Sequence, residues 1–353
     1  MPVPTLPGIT SEIVQTERIK VHVLFSGPAD SVPVVFIHGN CSSATFWEET
    51  MLALPEGLRG VALDLRGYGD TEPLPIDATQ GMGDMMEDVR ALVQALNLGR
   101  HHLVGHSMGG GVVMKYAIDY PADLLSITLV DTVSPYGYSG SKDVEGNPVY
   151  EDGAPAGAGG VNPEFVQLMR EKERGAENPT APINVLRQFY FKPPFVPERE
   201  EALLSSMLST HVGDAWYPGD SIPSENWPGA APGTQGVVNA FSRKYFNASD
   251  LANIDPKPPI LWIRGADDLV VSDMGLWDVA ALGKLGYVPG WPGDEVCCPQ
   301  PMLSQTRAVL DRYKANGGGY REVVIEEAGH TPYIEKPDEF NDVFHEFLSN
   351  GKQ

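Results

Sequence analysis

Short continuous apolar runs alternate with stretches of helical spacing along the first third of the chain. Apolar residues fill Val32–Ile37, Gly60–Leu65 and Leu124–Val130 almost without a break. A run of this kind is typical of a strand buried on both faces, as in a parallel sheet. Between the runs, apolar side chains from Met82 to Leu96 recur at the spacing of one helix face. The pattern predicts an α/β fold with a mostly parallel central sheet and helices on both faces.

Strands and helices are also predicted to alternate in the rest of the core, on both sides of a long irregular segment. Alternating positions between Ile13 and Leu24 predict a hairpin of two strands. The segments Ala44–Leu54 and Gly109–Tyr120 predict helices, and a terminal helix is entered through Pro337. Further strands are predicted at Arg100–Val104, Pro259–Arg264 and Arg321–Ile325, and a further helix at Leu303–Asn316.

The irregular segment is interpreted as an inserted cap. It begins after Val133 with a stretch rich in Gly, Pro and Ser. Helical pieces are predicted near Glu164–Arg174, Ile183–Phe191 and Glu198–Ser209. We therefore expect a largely helical cap over 134–250 on a core formed by 1–133 and 251–353. The Gly-rich part of this cap, Gly153–Gly160, is expected to be partly mobile.

The turn between the strand at Arg100–Val104 and the following helix has the sequence Gly105-His106-Ser107-Met108-Gly109. It matches Gly-x-Ser-x-Gly, in which a serine stands at the apex of a sharp strand-to-helix turn. A side chain at Gly105 or Gly109 would collide with the neighbouring backbone in such a turn. The same residues are compatible with a plain helix N-cap serine. The interpretation of Ser107 therefore depends on a base and an acid elsewhere in the chain.

His330 is the candidate base for Ser107. A serine hydroxyl is a poor nucleophile unless a base accepts its proton and an acid orients that base. His330 follows Gly329 on a loop just past the last predicted strand, and the carboxyl ends of strands carry functional groups. His106 is expected to point into the structure and away from the Ser107 hydroxyl. Five other histidines lie in strand, cap or helix contexts for which no such geometry is expected: His22, His101, His102, His211 and His345.

Asp268 is the candidate acid that orients His330. It lies on the loop that follows the strand at Pro259–Arg264. Asp267 is adjacent and is an alternative, and two neighbouring aspartates are also common in solvated turns. Asp131, at the end of the strand Leu124–Val130, is a further alternative, because the orienting acid can come from that position.

With these residues assigned, the chain resembles the α/β-hydrolase family. The order Ser107, Asp268, His330 is the Ser-Asp-His order of that family. Similar motifs are His38-Gly39 after the third strand, Asp64–Thr71 after the fourth, and the turns Gly265–Asp268 and Gly329-His330. The resemblance covers nearly the whole chain except the cap and the segment after Val271.

The resemblance also implies how the oxyanion of a reacting carbonyl is bound. Its donors are expected to be the main-chain N–H groups of Met108 and Asn40, with that of Cys41 as the alternative to Asn40. The Cys41 thiol is interpreted as packing. Neither a metal nor an organic cofactor is implied. Substrate contacts are expected at His38, Gly39, His106 and Tyr190.

The serine at the elbow narrows the activities that the resemblance allows. Haloalkane dehalogenases and epoxide hydrolases are similar around His38-Gly39-Asn40 but carry Asp at the elbow, so Ser107 argues against both. We expect hydrolysis of a small-molecule carboxylic ester or lactone through an acyl-enzyme on Ser107. The alternatives are a carbon–carbon bond hydrolase of ring-cleavage products and a non-catalytic ligand-binding module on the same fold.

Residues 272–302 are predicted to be an extra insertion within the core. Asp268 and His330 are 62 positions apart, more than in the simplest members of the family. Because the segment starts close to the candidate acid, it either folds over the pocket beside the cap or forms a peripheral decoration. Proximity of Trp291 and Cys298 to Ser107 would favour the first alternative.

Composition restricts partners and compartment. The net charge is −22, from 25 basic and 47 acidic residues, which disfavours nucleic acid and anionic membranes as partners. The three cysteines, Cys41, Cys297 and Cys298, predict neither a disulfide framework nor a zinc site. No signal peptide and no membrane-spanning run are visible, so a cytoplasmic location is expected. The oligomeric state stays open.

Overall fold

The predicted α/β architecture is confirmed. The computed structural model describes residues 3–350, and within them a single large sheet has eight strands in the order β1-β2-β4-β3-β5-β6-β9-β10. The strands are β1 Thr10–Gln15, β2 Lys20–Ser26, β3 Val32–Ile37, β4 Leu58–Leu63, β5 His101–His106, β6 Leu124–Val130, β7 Ser221–Pro223, β8 Ala230–Pro232, β9 Ile260–Gly265 and β10 Tyr320–Ile325. Strands β7 and β8 pair separately with each other.

The direction of the strands matches their apolar pattern. Strand β2 pairs antiparallel with β1 and with β4, whereas β4, β3, β5, β6, β9 and β10 run parallel. Strands β3, β5 and β6 are almost fully buried, as expected for continuous apolar runs covered on both faces. The chain order reverses around β3, between β4 and β5, which opens a crevice at their carboxyl ends where ligands commonly bind.

Helices cover both faces of the sheet. Their bounds are α1 Glu48–Leu52, α2 Gly83–Ala95, α3 Met108–Asp119, α4 Pro163–Glu171, α5 Pro182–Val185, α6 Glu200–Met207, α7 Val237–Ala240, α8 Val279–Lys284, α9 Met302–Ala315, α10 Pro332–Glu335 and α11 Pro337–Asn350. Within the described residues, no helix is long and apolar enough to cross a membrane.

Two predicted helices are more irregular than their spacing suggests. The segment from Ala44 to Leu54 begins as a 3₁₀ helix over Ala44–Trp47 and continues as α1. The predicted helix at Ile183–Phe191 is α5 followed by a π-helical turn over Leu186–Tyr190. Such a turn is frequent at functional sites, and here it carries Tyr190 toward the core.

The C-terminal helix is held by an aromatic cluster. Phe340, Phe344 and Leu348 of α11 are fully buried, and the Phe36 and Phe344 ring centroids lie 6.2 Å apart. Trp47 stacks on Tyr333 of α10 at 4.2 Å. Aromatic pairs of this kind add about 0.5–1.5 kcal/mol to the stability gained from burial alone. The cluster therefore fixes α10, and the loop before it, against the sheet.

The segment 134–250 contains the helical pieces α4 to α7 and, in addition, the short hairpin of β7 and β8. These three-residue strands include prolines and give no periodic signal in the sequence. Gly153–Gly160 packs against the rest of the cap, and the expected mobility of this stretch stays a prediction. Ala154 and Ala156 are buried, and the Ala158 N–H donates to Asn239 Oδ1 at 2.9 Å.

The segment 272–302 packs against the first part of the cap. Asp278 is buried, with Oδ1 accepting from Ser139 Oγ at 2.7 Å and Oδ2 accepting from the Gln300 N–H at 2.8 Å. The Trp277 ring lies 6.1 Å from the Tyr190 ring. The segment thus contacts the cap through Trp277 and Asp278. That it folds over the pocket, with Trp291 and Cys298 close to Ser107, stays a prediction.

Candidate active site

Ser107 stands at a strained turn between β5 and α3. Its backbone has φ 54° and ψ −121°, and L-residues rarely adopt a positive φ of this kind. A Cβ at Gly105 would lie 2.5 Å from the Gly109 carbonyl oxygen, and one at Gly109 would lie 2.5 Å from that of His38. Both glycines are therefore required by close backbone packing. The half-buried Ser107 side chain is left beside the N-terminus of α3.

His330 and Asp268 are in direct contact. Their side chains are 2% and 3% exposed, and His330 Nδ1 lies 2.8 Å from Asp268 Oδ2. A carboxylate only accepts, so Nδ1 carries the ring proton and Nε2 is left as the acceptor for a hydroxyl proton. The N–H groups of Val270 and Val271 donate to Asp268 Oδ1 at 2.7 and 3.1 Å, which fixes the carboxylate.

The two alternative acids lie in different places. Asp267 is exposed and forms an ion pair with Lys192 Nζ at 2.8 Å on the surface. Asp131 is buried beside the first pair, and one donor atom each from Asp131, Asp268 and His330 lie within 4.8 Å of one another. These three form the only group with metal-ligand spacing in the described residues. In this group His330 Nδ1 already donates to Asp268 Oδ2, which is the contact that a base makes with its orienting acid.

His38 orients the first expected oxyanion donor. The Leu65 N–H donates to His38 Nε2 at 3.0 Å, so Nδ1 carries the proton and donates to the Gly39 carbonyl at 2.7 Å. Ser42 Oγ donates to the same carbonyl at 2.8 Å. Because a trans peptide points its C=O and N–H in opposite directions, these bonds fix the direction of the Asn40 N–H. Burial lowers the pKa of His38 and keeps the ring neutral.

The loop after β3 is held from two further sides. Tyr68 donates its hydroxyl proton to Asn40 Oδ1 at 2.7 Å, and Tyr190 donates to the carbonyls of Asn40 and Cys41 at 2.7 and 3.2 Å. Within residues 3–350, the N–H groups of Asn40 and Met108 have no hydrogen-bond acceptor, as donors awaiting an oxyanion should. Burial raises the pKa of the Cys41 thiol to about 12, so this thiol stays protonated.

His106 supports the loop that carries the candidate base. Its Nε2 donates to the His330 carbonyl at 2.7 Å, and the Tyr333 hydroxyl lies 3.4 Å from its Nδ1. Burial, with the nearby His330 ring, lowers the pKa of His106 well below its ordinary value. A Cβ at Gly39 would lie 2.9 Å from His106 Nδ1, so only glycine allows the two loops to approach this closely.

The four residues expected to contact the substrate support the site from within the protein. The hydrogen-bonding groups of His38, His106 and Tyr190 are all engaged within the protein, where they hold the loops around Asn40 and His330. Gly39 is buried between those loops. Contact of any of the four with substrate stays a prediction, whereas their supporting contacts are observed.

His22 lies on strand β2, as expected, and it has a carboxylate partner that its strand context did not predict. His22 Nδ1 lies 2.7 Å from Asp64 Oδ2, and His22 Nε2 lies 2.8 Å from Ser11 Oγ. Asp64 also accepts the Ala44 N–H at 2.8 Å through Oδ1. Ser11 lies on the edge strand β1 with ordinary extended backbone and no helix N-terminus beside it. We interpret this second Ser-His-Asp chain as a structural connection between the edge hairpin and the loop after β3.

Glu335 is a supporting residue that sequence reasoning missed. It is buried, its Oε2 accepts the Gly329 N–H at 2.8 Å, and its Oε1 accepts the Lys192 N–H of the cap at 2.6 Å. Thr331 Oγ1 donates to the Tyr190 carbonyl at 2.7 Å. Together these bonds join the cap to the His330 loop. The partners are far apart in the chain, and no local pattern signals them.

A cavity of about 360 Å³ lies between the cap and the acid loop. It is lined by cap residues 188, 189 and 191–193, among them Phe189 and Lys192, and by 266–269 of the loop that carries Asp268. The cap thus reaches the immediate neighbourhood of the candidate triad.

Comparisons with known proteins identify the family of the fold. A family model described as alpha/beta hydrolase fold matches residues 32–337. The non-heme chloroperoxidase of Streptomyces lividans is 32% identical over 251 residues, which are 69% of this chain and 77% of that protein. The serine hydrolase-like protein of Danio rerio is 33% identical over 112 residues, which are 32% of this chain and 33% of that protein. The chain spans less than half the length of several of the curated relatives it matches.

Solved structures share the fold over nearly the whole chain. A membrane phospholipase A superposes with a TM-score of 0.61 at 21% identity, covering 98% of this chain and 87% of that one. The esterase RhEst1 from Rhodococcus sp. ECU1013 superposes with a TM-score of 0.58 at 20% identity, covering 97% and 99%. At such identities the likeness concerns the fold alone.

Proposed function

The chain belongs to the alpha/beta hydrolase fold family, and we propose that within it the protein is a serine hydrolase of carboxylic esters or lactones. The observation that carries the proposal is the buried contact between His330 Nδ1 and Asp268 Oδ2 at 2.8 Å, which leaves a ring nitrogen free to serve Ser107. The non-catalytic alternative does not require this pair, because binding needs neither a base nor an acid.

The proposed mechanism uses only side chains and main-chain groups of this chain. Ser107 Oγ attacks the carbonyl carbon of the substrate while His330 Nε2 takes its proton. Asp268 stabilises the imidazolium that forms, and the Asn40 and Met108 N–H groups donate to the oxyanion. His330 then protonates the leaving alcohol. Water attacks the acyl-enzyme with His330 as base, which releases the acid and restores Ser107.

Ester chemistry is favoured by the names of the structural relatives. They include a membrane phospholipase A and several esterases, whose names describe hydrolysis of carboxylic esters. A lactone is an internal ester and reacts through the same acyl-enzyme, so the mechanism admits both. A carbon–carbon bond hydrolase stays the alternative, and the names of the esterases above favour ester hydrolysis over it.

The proposal is tested by comparing two serine variants. Ser107→Ala should lower the hydrolysis of p-nitrophenyl acetate by about 10⁴-fold or more, because nucleophile and base act as a unit. Ser11→Ala is the matched control, since Ser11 belongs to the other Ser-His-Asp chain, and it should leave the rate within about twofold of the unmodified protein. Equal rates for Ser107→Ala and the unmodified protein would reject the proposal.

Perhydrolysis is a second candidate, favoured by the relative named a non-heme chloroperoxidase. In that reaction hydrogen peroxide replaces water in the attack on the acyl-enzyme, which releases a peroxy acid and restores Ser107. With a carboxylic acid, hydrogen peroxide and halide present, the protein should then halogenate monochlorodimedone at a rate that depends on Ser107. Equal halogenation rates for the unmodified protein and Ser107→Ala would exclude this candidate.

A further inference from the structure

Two carboxyl groups meet behind His330. Asp131 follows β6 and Asp268 lies on the loop after β9, and these strands are parallel neighbours, so both side chains project from one edge of the sheet. Asp131 and Asp268 are both buried. One oxygen of each lies within 4.8 Å of the other and of a His330 ring nitrogen.

The two carboxyl groups differ in how many donors they receive. Asp268 accepts three N–H groups, from Val270, Val271 and the His330 ring. Asp131 accepts one, the Gly265 N–H at 2.9 Å through Oδ1. Its Oδ2 is buried and has no hydrogen-bond donor in the described part of the chain. The negative charge is therefore better stabilised on Asp268 than on Asp131.

A buried oxygen without a donor is costly, and so is a second negative charge beside the first. The titratable groups that face Asp131 from the surrounding elements are Asp268, His330, Glu335 and Tyr333, and none is a lysine or arginine. One proton on Asp131 removes both penalties, since the O–H can donate to Asp268. Burial, together with the charge of Asp268, raises the pKa of Asp131 well above its ordinary value.

We propose that Asp131 is a positioning residue that stays protonated and donates a hydrogen bond through Oδ2 to the Asp268 carboxylate. The pair then carries a single negative charge, which Asp268 presents to His330. This inference rests on the proposed function for its kinetic readout, and it adds a residue that the Ser-His-Asp mechanism does not include.

The proposal distinguishes two substitutions that remove the same carboxyl group. Asp131→Asn keeps the shape and the donor, because the amide oxygen can accept from Gly265 while the NH₂ group donates to Asp268. Asp131→Leu is similar in size but has no donor, and it also strains the backbone because Asp131 has φ 40°. Asp131→Asn should therefore retain kcat within about threefold, whereas Asp131→Leu should lower kcat by about 10- to 100-fold, the effect of losing a hydrogen bond to a charged group. The pH profile of Asp131→Asn identifies the donor independently of the strain in Asp131→Leu.

The pH profile of kcat separates this role from simple packing. In the unmodified protein, ionisation of Asp131 at alkaline pH removes the donor and adds a repelling charge, so kcat should fall there. Asp131→Asn cannot ionise, and its alkaline decline should shift to higher pH or vanish. An unchanged alkaline limb, or Asp131→Asn as impaired as Asp131→Leu, would overturn the proposal.

A readout without catalysis keeps the result independent of the proposed function. The infrared difference spectrum at neutral pH between Ser107→Ala and Ser107→Ala/Asp131→Asn should contain a carbonyl stretch of one buried protonated carboxylic acid. The difference is needed because burial also raises the pKa of Asp278 and Glu335, which are present in both variants. A difference spectrum without this band contradicts the proposal whatever the enzyme hydrolyses. If the band is present but the unmodified protein hydrolyses no ester, only the proposed function is rejected.

Discussion

Three histidines at the site have one ring proton each assigned by a neighbouring acceptor. His38 and His330 carry the proton on Nδ1, because a carbonyl and a carboxylate accept there. His106 carries it on Nε2, where the His330 carbonyl accepts. Of these three rings, His330 is the one whose second nitrogen, Nε2, has no hydrogen-bond partner in the described part of the chain. The residue-level contacts thus select one base among three adjacent rings.

Tyr190 is the residue whose removal tests how the oxyanion loop is held. Tyr190→Phe deletes only the hydroxyl that donates to the Asn40 and Cys41 carbonyls. Without that donor the loop gains freedom, and we expect kcat to fall by about 10-fold, in line with about 1.4 kcal/mol for a lost buried hydrogen bond. KM should change much less, because the donors act on the oxyanion of the transition state. Steady-state kinetics with an activated ester measures both constants.

Tyr287→Phe is the control for this substitution. Its side chain is 75% exposed, so loss of its hydroxyl should leave kcat unchanged. A larger loss in KM than in kcat for Tyr190→Phe would instead indicate that Tyr190 contacts the substrate, as the sequence alone suggested.

At the scale of elements, His22 and Asp64 connect the edge hairpin to β4 and the loop after β3. Burial lowers the pKa of His22, but the hydrogen bond and charge of Asp64 raise it by more, so the net shift is upward. Burial raises the pKa of Asp64, and the hydrogen bond from His22 lowers it by more, so the net shift is downward. Both groups are therefore charged between their ordinary values of 3.8 and 6.5.

The sign of the pH dependence follows from these directions. The stabilisation from His22 is complete below pH 6.5 and is lost as pH rises through its raised pKa, while that from Asp64 is lost only as pH falls below 3.8. His22→Gln should therefore lower the free energy of unfolding by about 1–2 kcal/mol more at about pH 5.5 than at about pH 9. Urea unfolding at the two pH values measures this difference.

Ser11→Ala is the matched control for His22→Gln. It removes the partner of Nε2 and leaves the His22–Asp64 pair intact, so its effect on unfolding should be similar at both pH values. Equal losses for His22→Gln at acid and alkaline pH would contradict the ion-pair account of this contact.

The elements that could be predicted from the sequence are those specified by short-range rules. The elbow followed from sterics at Gly105 and Gly109, and the strands followed from their apolar runs. Side-chain contacts between separate elements could not be predicted in this way. Glu335 joins Gly329 to the cap, and Ser11 reaches His22 across a hairpin, and neither leaves a periodic trace.

At the scale of the whole molecule, the net charge of −22 should affect the rate at which charged substrates associate with the protein. A negative surface potential repels an anionic ester and leaves a neutral one unaffected. Raising salt from about 0.02 M to about 0.5 M screens this repulsion. We therefore expect kcat/KM to rise with salt for an ester that also carries a free carboxylate. For the analogue in which that carboxylate is replaced by a neutral amide or methyl group, kcat/KM should stay constant.

The neutral analogue also serves as the control for direct effects of salt on the enzyme. A fall in kcat/KM for the anionic ester at high salt would show instead that a local positive group attracts it. Lys192, which pairs with Asp267 beside the cavity near Asp268, is the first candidate for such a group.

The central claim, a covalent acyl-enzyme on Ser107, is tested most directly by trapping it. The protein is mixed with p-nitrophenyl acetate, quenched with acid within the burst of p-nitrophenol, digested and analysed by mass spectrometry. The account predicts one acetyl group, located on the peptide that contains Gly105–Gly109 and absent from that peptide in Ser107→Ala. Turnover with no adduct on this peptide, or with the acetyl group on the peptide that contains Ser11, would contradict it.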